Sequence, residues 1–312
     1  MINYNNVSLV GYSGFVGSNL ATEYEFNNLY NSKNIHEAFD TIPDVLVYSG
    51  VRAEKFIANK NPEADREHIL EAIENIKKIR PKKLVLISTI DVYGNAIKVN
   101  EDTDVSCDVV EAYGLNRRYL ESWVRENVKD YLIVRLPGLY GNNLKKNFIY
   151  DMINVIPAML TKAKLDEFSK CNDKIKTQYV LQSNGFYKYT EGTIEDKEEL
   201  KRYFKSIGFS AINFTDSRGI FQFYNLKYLW DHIEIAMSKG IKVLNLASEP
   251  ICASELYEYV FGHEFINEIT TNPVSYDFRT IHHKDFHGVG GYIFTKEFML
   301  KDIKEFIDKG IR

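Results

Sequence analysis

The sequence predicts an α/β fold in which a doubly wound parallel sheet carries helices on both faces. Two features of the 312-residue chain predict it. In the first half, short apolar runs alternate with longer amphipathic stretches, which is typical of buried parallel strands joined by helices. A glycine-rich turn also follows the first apolar run directly. This order favours strands that are connected by right-handed helical crossovers.

Five apolar runs in the first half are the predicted strands. They occupy residues 7–10, 28–30, 44–48, 84–88 and 131–135. Helices are predicted between them over residues 14–24, 62–80 and 111–128. Pro81 ends the second helix, whose apolar face at helical spacing is formed by Ile69, Ile73, Ile76 and Ile79.

The second half of the chain is less regular and predicts a smaller domain. A helix is expected over residues 195–207, with one face formed by Leu200, Tyr203, Phe204 and Ile207. A further strand is predicted at 243–246 and a last helix at 295–309. We therefore expect a sheet domain from residues 1–156 plus about 213–247. A discontinuous smaller domain would comprise about 157–212 plus 248–312.

Composition and charge argue against several classes of function. The formal net charge is −4 and the isoelectric point is near 6.0, so no basic excess indicates nucleic-acid binding. No apolar run is long enough to span a membrane, and the polar N-terminus does not resemble a signal peptide. The cysteines are far apart, as expected in a reducing compartment, and we predict a cytoplasmic protein. His283 and His287 could share a helical face, but without a third ligand we predict no metal site.

The glycine turn spans residues 11–17 and reads Gly-Tyr-Ser-Gly-Phe-Val-Gly. Glycines let a backbone approach a phosphate closely, and the helix that follows offers free N–H groups and a positive dipole end. The turn therefore predicts a bound dinucleotide, NAD or NADP, contacted by Gly11, Ser13, Gly14, Phe15, Val16 and Gly17. The alternative is a tight strand-to-helix turn without a ligand.

The end of the second strand bears on which dinucleotide is bound. About 20 residues after the glycine turn, NAD-binding proteins usually have an acidic residue that holds the ribose hydroxyls. Here the strand is followed by Asn31, Ser32 and Lys33. A neutral side chain followed by a lysine tolerates a 2′-phosphate better than a carboxylate does, which favours NADP. Lys33 could equally be a solvated loop charge.

Tyr113 and Arg117 are four positions apart on a predicted helix, so both lie on one face. A fixed cation beside a phenol favours the phenolate and lowers the pKa of the tyrosine. Such a pair suits the proton transfer of alcohol–ketone chemistry.

Four motifs follow one another along the chain. They are the glycine turn, Ser-Thr-Ile-Asp-Val-Tyr-Gly at 88–94, Tyr113-x-x-x-Arg117, and Arg-Leu-Pro-Gly-Leu-Tyr-Gly at 135–141. Together they resemble the extended short-chain dehydrogenase/reductase family, which includes nucleotide-sugar epimerases and dehydratases. The resemblance covers about residues 7–150 well. It implies a Rossmann-type fold with a smaller, discontinuous substrate-binding domain, and a homodimer.

The resemblance implies a role for each matching residue. Tyr113 would be the general acid/base, Thr89 would hydrogen-bond the same substrate oxygen, and Arg117 stands where the family has a lysine that holds the nicotinamide ribose. Asp91 occupies the position of a proton-abstracting carboxylate, although it could also simply cap the turn. Ile90 replaces the acid of family dehydratases, so dehydration is not expected. The implied cofactor contacts are Ser49, Gly50, Val51, Tyr113, Arg117 and Pro137.

Substrate contacts are predicted beyond the sheet. Asn147 follows the Tyr-Gly turn where the family opens its substrate cleft, and Arg218 and Arg279 lie near positions that bind a nucleotide diphosphate. The resemblance thus implies an NAD(P)-dependent epimerase or oxidoreductase that acts on a nucleotide-linked sugar. One alternative is a non-catalytic NAD(P)-binding sensor or complex subunit, indicated by Arg117, Gly138 and the long segment 157–215. Another is a reductase of a small carbonyl compound.

Overall fold

A computed structural model describes residues 4–105, 110–182 and 185–310 of the protein. Its centre is a sheet of six parallel strands. They are β1 (Val7–Val10), β2 (Asn28–Tyr30), β3 (Val45–Tyr48), β4 (Lys83–Thr89), β5 (Tyr131–Leu136) and β6 (Val243–Asn245). Their order across the sheet is β6-β5-β4-β3-β1-β2, which confirms the predicted doubly wound α/β fold.

Helices cover both faces of the sheet, and each face has its own apolar core. The first core lies under α1 (Phe15–Glu23) and α5 (Leu229–Ser238), and the second under α3 (Pro62–Ile79) and α4 (Ala112–Asn127). The predicted isoleucine face of α3 is buried in the second core. Successive side chains of a strand point to opposite faces, so Leu9 and Val10 belong to different cores. None of the helices in the described ranges is long and apolar enough to cross a membrane.

The strand order reverses at β1, which has β2 on one side and β3 on the other. In parallel sheets of this kind, ligands bind outside the carboxyl ends of the strands at such a reversal. The glycine turn follows β1 directly and therefore lies at this point. The connection from β2 to β3 is short and contains a single 3₁₀ turn, Ile35–Ala38.

A second layer of structure extends from the carboxyl edge of the sheet. Two short strand pairs form there, Gly138–Tyr140 with Phe223–Asn225 in parallel, and Ile220–Phe221 with Ile251–Cys252 in antiparallel order. Three helices enclose an apolar core with these strands, namely Phe148–Ile153, Ala253–Phe261 and α6 (Lys296–Lys309). This layer borders the edge at which the predicted site residues lie.

Asp302 anchors α6 to this second layer through a buried carboxylate. It accepts hydrogen bonds from the Tyr140 hydroxyl and the Asn225 amide, both at 2.6 Å, and it pairs with Lys227. Burial alone would raise the pKa of Asp302, but Lys227 and the hydrogen bonds outweigh it and hold that pKa below its usual range. Asp302 therefore adds a charged anchor to the apolar packing of the last helix.

Residues 156–209 form a compact unit with a core of its own. Its short antiparallel strands and its helices are Met159–Leu160, Tyr179–Leu181, Tyr187–Tyr189, Lys162–Phe168, Lys174–Gln178 and Ile194–Ser206. In the helix Ile194–Ser206, Leu200 and Phe204 of the predicted face are buried. The prediction was wrong for Ile207, which is 41% exposed because the helix ends at Ser206. The division of the whole chain into two domains stays a prediction.

We expect Asp302→Asn to lower the free energy of unfolding by about 2–3 kcal/mol, since hydrogen bonds to a charged group contribute about that much. Chemical denaturation followed by circular dichroism measures the change. Asp308→Asn is the matched control, because Asp308 is exposed on the same helix. It should alter stability by less than about 0.5 kcal/mol. Equal effects of the two variants would contradict the anchoring role of Asp302.

Candidate active site

The glycine turn between β1 and α1 packs tightly against the end of β3. Gly11 has a φ of +92°, and a Cβ there would lie 2.7 Å from the Ser49 carbonyl carbon. A Cβ on Gly17 would collide with the Gly11 carbonyl oxygen. The first turn of α1 carries no acidic side chain, so its amino end is open to an anion. Around it, Ser13 and Gly14 are exposed, whereas Phe15 and Val16 are half-buried.

The other predicted cofactor residues follow the ends of neighbouring strands. They are Asn31, Ser32 and Lys33 after β2, Ser49, Gly50 and Val51 after β3, and Pro137 after β5. Backbone and hydroxyl groups tie these ends together. The Gly11 amide donates to the Tyr30 carbonyl at 2.7 Å, and the Ser49 hydroxyl donates to the last carbonyl of β1 at 2.9 Å. The structure brings these residues to one edge of the sheet, and their contact with a cofactor stays a prediction.

Tyr113 and Arg117 lie on one face of α4, with the guanidinium carbon 4.2 Å from the centre of the phenol ring. Both side chains are buried. Arg117 also forms an ion pair with Asp65 of α3 at 2.7 Å, and its other terminal nitrogen donates to the Arg52 carbonyl. Both terminal nitrogens are thus used inside the protein. Asp65 was not predicted from the sequence, because an acidic residue in the first turn of a helix commonly just complements the helix dipole.

Burial sets the protonation state of Tyr113. It raises the pKa of the phenol above its usual value, and Arg117 opposes this rise without cancelling it. The carboxylates of Asp91 and Asp65 raise the pKa further. The prediction of a lowered tyrosine pKa was therefore wrong, because the cost of desolvating a phenolate outweighs the attraction of the cation. The phenol is protonated near neutral pH and can donate a proton.

Thr89 and Asp91 form the turn at the carboxyl end of β4. The Asp91 amide donates to the Thr89 hydroxyl oxygen at 3.2 Å, and the Thr89 hydroxyl donates to the Asp91 carboxylate at 3.2 Å. The other carboxylate oxygen is 2.6 Å from Lys55 Nζ of α2 (Lys55–Lys60). Asp91 is therefore both a turn residue and half of an ion pair. Lys55 was not predicted from the sequence, because no motif marks the segment around it.

A close approach between α4 and this turn places Tyr113 near Asp91. A Cβ on Gly114 would collide with the Asp91 carbonyl oxygen, so glycine is needed for the helix to pack at this distance. Ile90 is 6% exposed and belongs to an apolar cluster. It therefore presents no acid at this position.

A cavity of about 260 Å³ opens next to Asp91, with Lys55, Glu111 and Tyr276 in its wall. A larger hollow of about 420 Å³ beside Lys242 has none of the predicted site residues in its wall. In the described ranges, no three His, Cys, Asp or Glu side chains converge in a way that could hold a metal ion. The smaller cavity is the one that adjoins the predicted chemistry.

The predicted substrate residues are each engaged by protein neighbours. Asn147 caps the helix that follows it through its side-chain oxygen. Arg218 pairs with Asp216 at 2.8 Å. Arg279 pairs with Asp277 at 3.0 Å. The contact of these three residues with a substrate stays a prediction.

A buried charge network beneath the site was also missed. Glu121 of α4 is 1% exposed and pairs with Arg135 of β5 at 2.6 Å. The Ser88 hydroxyl of β4 donates to Glu121 at 2.6 Å, and Arg135 donates to the Tyr93 hydroxyl at 2.7 Å. Burial alone would raise the pKa of Glu121, but Arg135 and Ser88 outweigh it and hold that pKa below its usual range. In the sequence, Glu121 looks like any charged residue of an exposed helix face.

A protein-family model matches part of the chain. The model of the NAD dependent epimerase/dehydratase family matches residues 26–178. The resemblance drawn from the motifs is thereby confirmed, and the matched part includes Thr89, Asp91, Tyr113 and Arg117. No curated protein sequence matches the chain significantly.

Solved structures share the fold of this chain over nearly its whole length. A dTDP-4-dehydrorhamnose reductase from Bacillus anthracis in complex with NADP is 14% identical, covers 99% of both chains and has a TM-score of 0.65. The Bordetella bronchiseptica enzyme WbmG in complex with NAD and UDP is 12% identical over 97% of this chain and 94% of that chain, with a TM-score of 0.62. A UDP-glucose 4-epimerase from Thermotoga maritima with UDP-glucose is 12% identical, covers 97% of both chains and has a TM-score of 0.61. This likeness confirms the Rossmann-type fold.

We expect Glu121→Gln to lower the free energy of unfolding by about 3–5 kcal/mol at neutral pH, because Arg135 would stay buried without its counter-charge. The difference from the wild type should shrink as the pH falls below about 4.3, the usual glutamate value. Below that pH the unfolded protein binds a proton at Glu121 more readily than the folded protein does. The wild type therefore progressively loses the stability that the lowered pKa of Glu121 provides at higher pH.

Urea unfolding at a series of pH values measures both effects. Glu126→Gln is the matched control, since Glu126 is exposed on the same helix. A loss of stability that does not vary with pH would contradict the assignment of the charge to Glu121.

Proposed function

We propose that the protein is an NAD(P)-dependent oxidoreductase or epimerase that acts on a nucleotide-linked sugar. One observation carries the proposal: the buried, protonated Tyr113 packs beside the Thr89–Asp91 turn at the carboxyl edge of a sheet whose first strand ends in a glycine turn. A hydride site and a proton donor would then face the same cleft. The epimerase/dehydratase family model that matches residues 26–178 supports this proposal. Structural neighbours that were solved with NADP, with NAD and UDP, and with UDP-glucose support it as well.

The glycine turn fits a dinucleotide. Side chains at Gly11 and Gly17 would collide with the backbone, and the exposed Ser13 and Gly14 leave the amino end of α1 accessible. The pyrophosphate would lie at this end, where N–H groups and the helix dipole favour an anion. When bound, the nicotinamide supplies or accepts a hydride.

NADP is the cofactor that the end of β2 favours. The residues there are Asn31, Ser32 and Lys33, none of them acidic, and the last two are exposed. A carboxylate would repel a 2′-phosphate, whereas Lys33 would attract it. The structural neighbours were solved with either cofactor, the dTDP-4-dehydrorhamnose reductase with NADP and WbmG with NAD, so the preference rests on the residues at the end of β2.

Tyr113 would transfer the proton of the reaction. Because burial keeps its phenol protonated, Tyr113 can donate to the oxygen of a ketone while the carbon receives a hydride. In the reverse direction the phenolate would accept the proton of the alcohol. The Thr89 hydroxyl, at the end of β4, would orient the same oxygen.

Dehydration of the sugar fits these residues poorly. It needs a base that removes a proton from one carbon and an acid that protonates the leaving hydroxyl of the next. Asp91 is held in an ion pair by Lys55, and Ile90 is an apolar core residue. Keto reduction and epimerisation are therefore the reactions that we propose.

A non-catalytic NAD(P)-binding sensor or complex subunit is the second candidate. The observation that favours it is the ion pair of Arg117 with Asp65. This pair engages the cation that the family resemblance places at the nicotinamide ribose. A homodimer, and substrate contacts by Asn147, Arg218 and Arg279, are further parts of the leading proposal.

Tyr113→Phe separates the two candidates, because it removes the hydroxyl and keeps the ring. We expect turnover of UDP-, GDP- or dTDP-linked sugars, followed by nicotinamide absorbance, to fall by about 10²–10⁴-fold while NAD(P)H still binds. Tyr119→Phe is the matched control, since Tyr119 is 37% exposed on the same helix. Binding of NAD(P)H by the wild type without turnover of any such sugar would favour the sensor instead.

Lys33→Gln tests the preference for NADP. If Lys33 meets the 2′-phosphate, the variant should bind NADPH about tenfold more weakly, because a charge-assisted hydrogen bond is lost, and NADH as well as before. Fluorescence titration with both cofactors measures this, with the exposed Lys170→Gln as the control. An equal loss of affinity for NADH and NADPH would argue against recognition of the 2′-phosphate by Lys33.

A further inference from the structure

A buried carboxylate lies behind the proposed proton donor. Asp65 of α3 is 6% exposed and accepts hydrogen bonds from Arg117 Nη1 at 2.7 Å and from the Asn116 amide at 2.8 Å. The Arg117 guanidinium in turn lies 4.2 Å from the centre of the Tyr113 ring. Carboxylate, guanidinium and phenol ring therefore form a chain of contacts from α3 to Tyr113.

We propose that Asp65 is a positioning residue: it fixes the Arg117 guanidinium against the face of the Tyr113 ring and withdraws it from any bound ligand. The consequence for catalysis rests on the proposed function, whereas the positioning itself does not. No residue of the sequence motifs supplies this carboxylate, since Asp65 lies outside all of them.

The geometry of a guanidinium supports this role. Its planar face can stack on an aromatic ring while the N–H groups at its edge bind a carboxylate. Arg117 uses both terminal nitrogens in this way, on Asp65 and on the Arg52 carbonyl. A lysine ammonium is a point charge without such a face. Arginine at this position therefore needs a buried carboxylate at its edge, and Asp65 is that group.

A purely structural link between α3 and α4 would not need Arg117. The Asn116 amide already joins the two helices, because it donates to Asp65 and also to the Pro62 carbonyl at 3.2 Å. Without Asp65, however, the guanidinium would be a buried charge without a counter-charge. The long side chain of Arg117 would then turn toward solvent and leave the ring.

Asp65 acts on Tyr113 in two ways of opposite sign. The arginine that it holds favours the phenolate, while its own negative charge disfavours the phenolate less strongly. Loss of the charge alone and loss of the whole hydrogen-bond acceptor therefore have different consequences. Asp65→Asn keeps an acceptor for Arg117, whereas Asp65→Ala removes it.

The first measurement is the pH dependence of sugar oxidation with NAD(P)⁺, whose rate rises as Tyr113 is deprotonated. We expect Asp65→Ala to displace this rise to higher pH by about 1 unit, because Arg117 leaves the ring, and Asp65→Asn to displace it to lower pH. Glu63→Gln removes an exposed carboxylate from the same helical turn and should leave the profile unchanged. Displacement of both Asp65 variants to lower pH would mean that Asp65 acts through its charge alone, and would overturn the proposal.

The second measurement does not depend on turnover. In protein labelled with nitrogen-15 arginine, the ring current of Tyr113 shifts the guanidinium N–H signals of Arg117, which Arg117→Lys assigns. We expect this shift in the wild type and in Glu63→Gln, and its loss in Asp65→Ala. A retained shift in Asp65→Ala overturns the proposal. If the wild type binds NAD(P) but oxidises no nucleotide sugar, the proposed function fails, and this measurement alone decides the positioning role.

A double variant covers the case in which Asp65→Ala does not fold. Asp65→Ala/Arg117→Met removes both charges of the buried pair and is expected to fold, since an apolar replacement of such a pair is often neutral. Its rate rise should lie at lower pH than that of Arg117→Met, because only the carboxylate charge is then lost in addition. A rise at higher pH would show that Asp65 supports Tyr113 by another route than Arg117, and would contradict the proposal.

Discussion

The buried ion pair between Glu121 and Arg135 is the interaction on which the geometry of the site depends. Glu121 belongs to α4, which also carries Tyr113, and Arg135 belongs to β5. Ser88, the residue before Thr89 on β4, donates to the same carboxylate. Because all these groups are buried, each needs its partners, and few arrangements of the two strands and the helix satisfy them together. The pair thus helps to fix the position of Tyr113 relative to the end of β4.

Charge neutralisation inside the protein shapes the chemistry that the site can perform. Asp65 balances Arg117, and Lys55 balances Asp91, so these four charged groups form two ion pairs near Tyr113. Burial is the largest influence on the pKa of Tyr113, and it keeps the proton on the phenol. A tyrosine that is protonated at rest suits the delivery of a proton to a ketone. The Asp91 carboxylate is already engaged by Lys55 and by the turn, which argues against its use as the base in an elimination of water.

The fold of this chain is shared by proteins of very different sequence. Solved structures that are only 12–14% identical match nearly the whole chain, because a buried sheet tolerates exchange among apolar residues. Arg117 stands where the family resemblance implies a lysine, and its planar head is matched by a carboxylate on a neighbouring helix. The unit at 156–209 has its own apolar core, which is separate from the two cores of the sheet.

The sequence by itself determined the six strands, the glycine turn and the shared face of Tyr113 and Arg117. These features depend on residues that are close in the chain, through strand burial, helical spacing and backbone conformation. Only the tertiary structure decided the partners of the charged groups, because Asp65 lies 52 residues before Arg117 and Lys55 lies 36 before Asp91. It also decided the direction of the pKa shift of Tyr113, since the depth at which a side chain is buried depends on how helices pack and not on its neighbours in sequence.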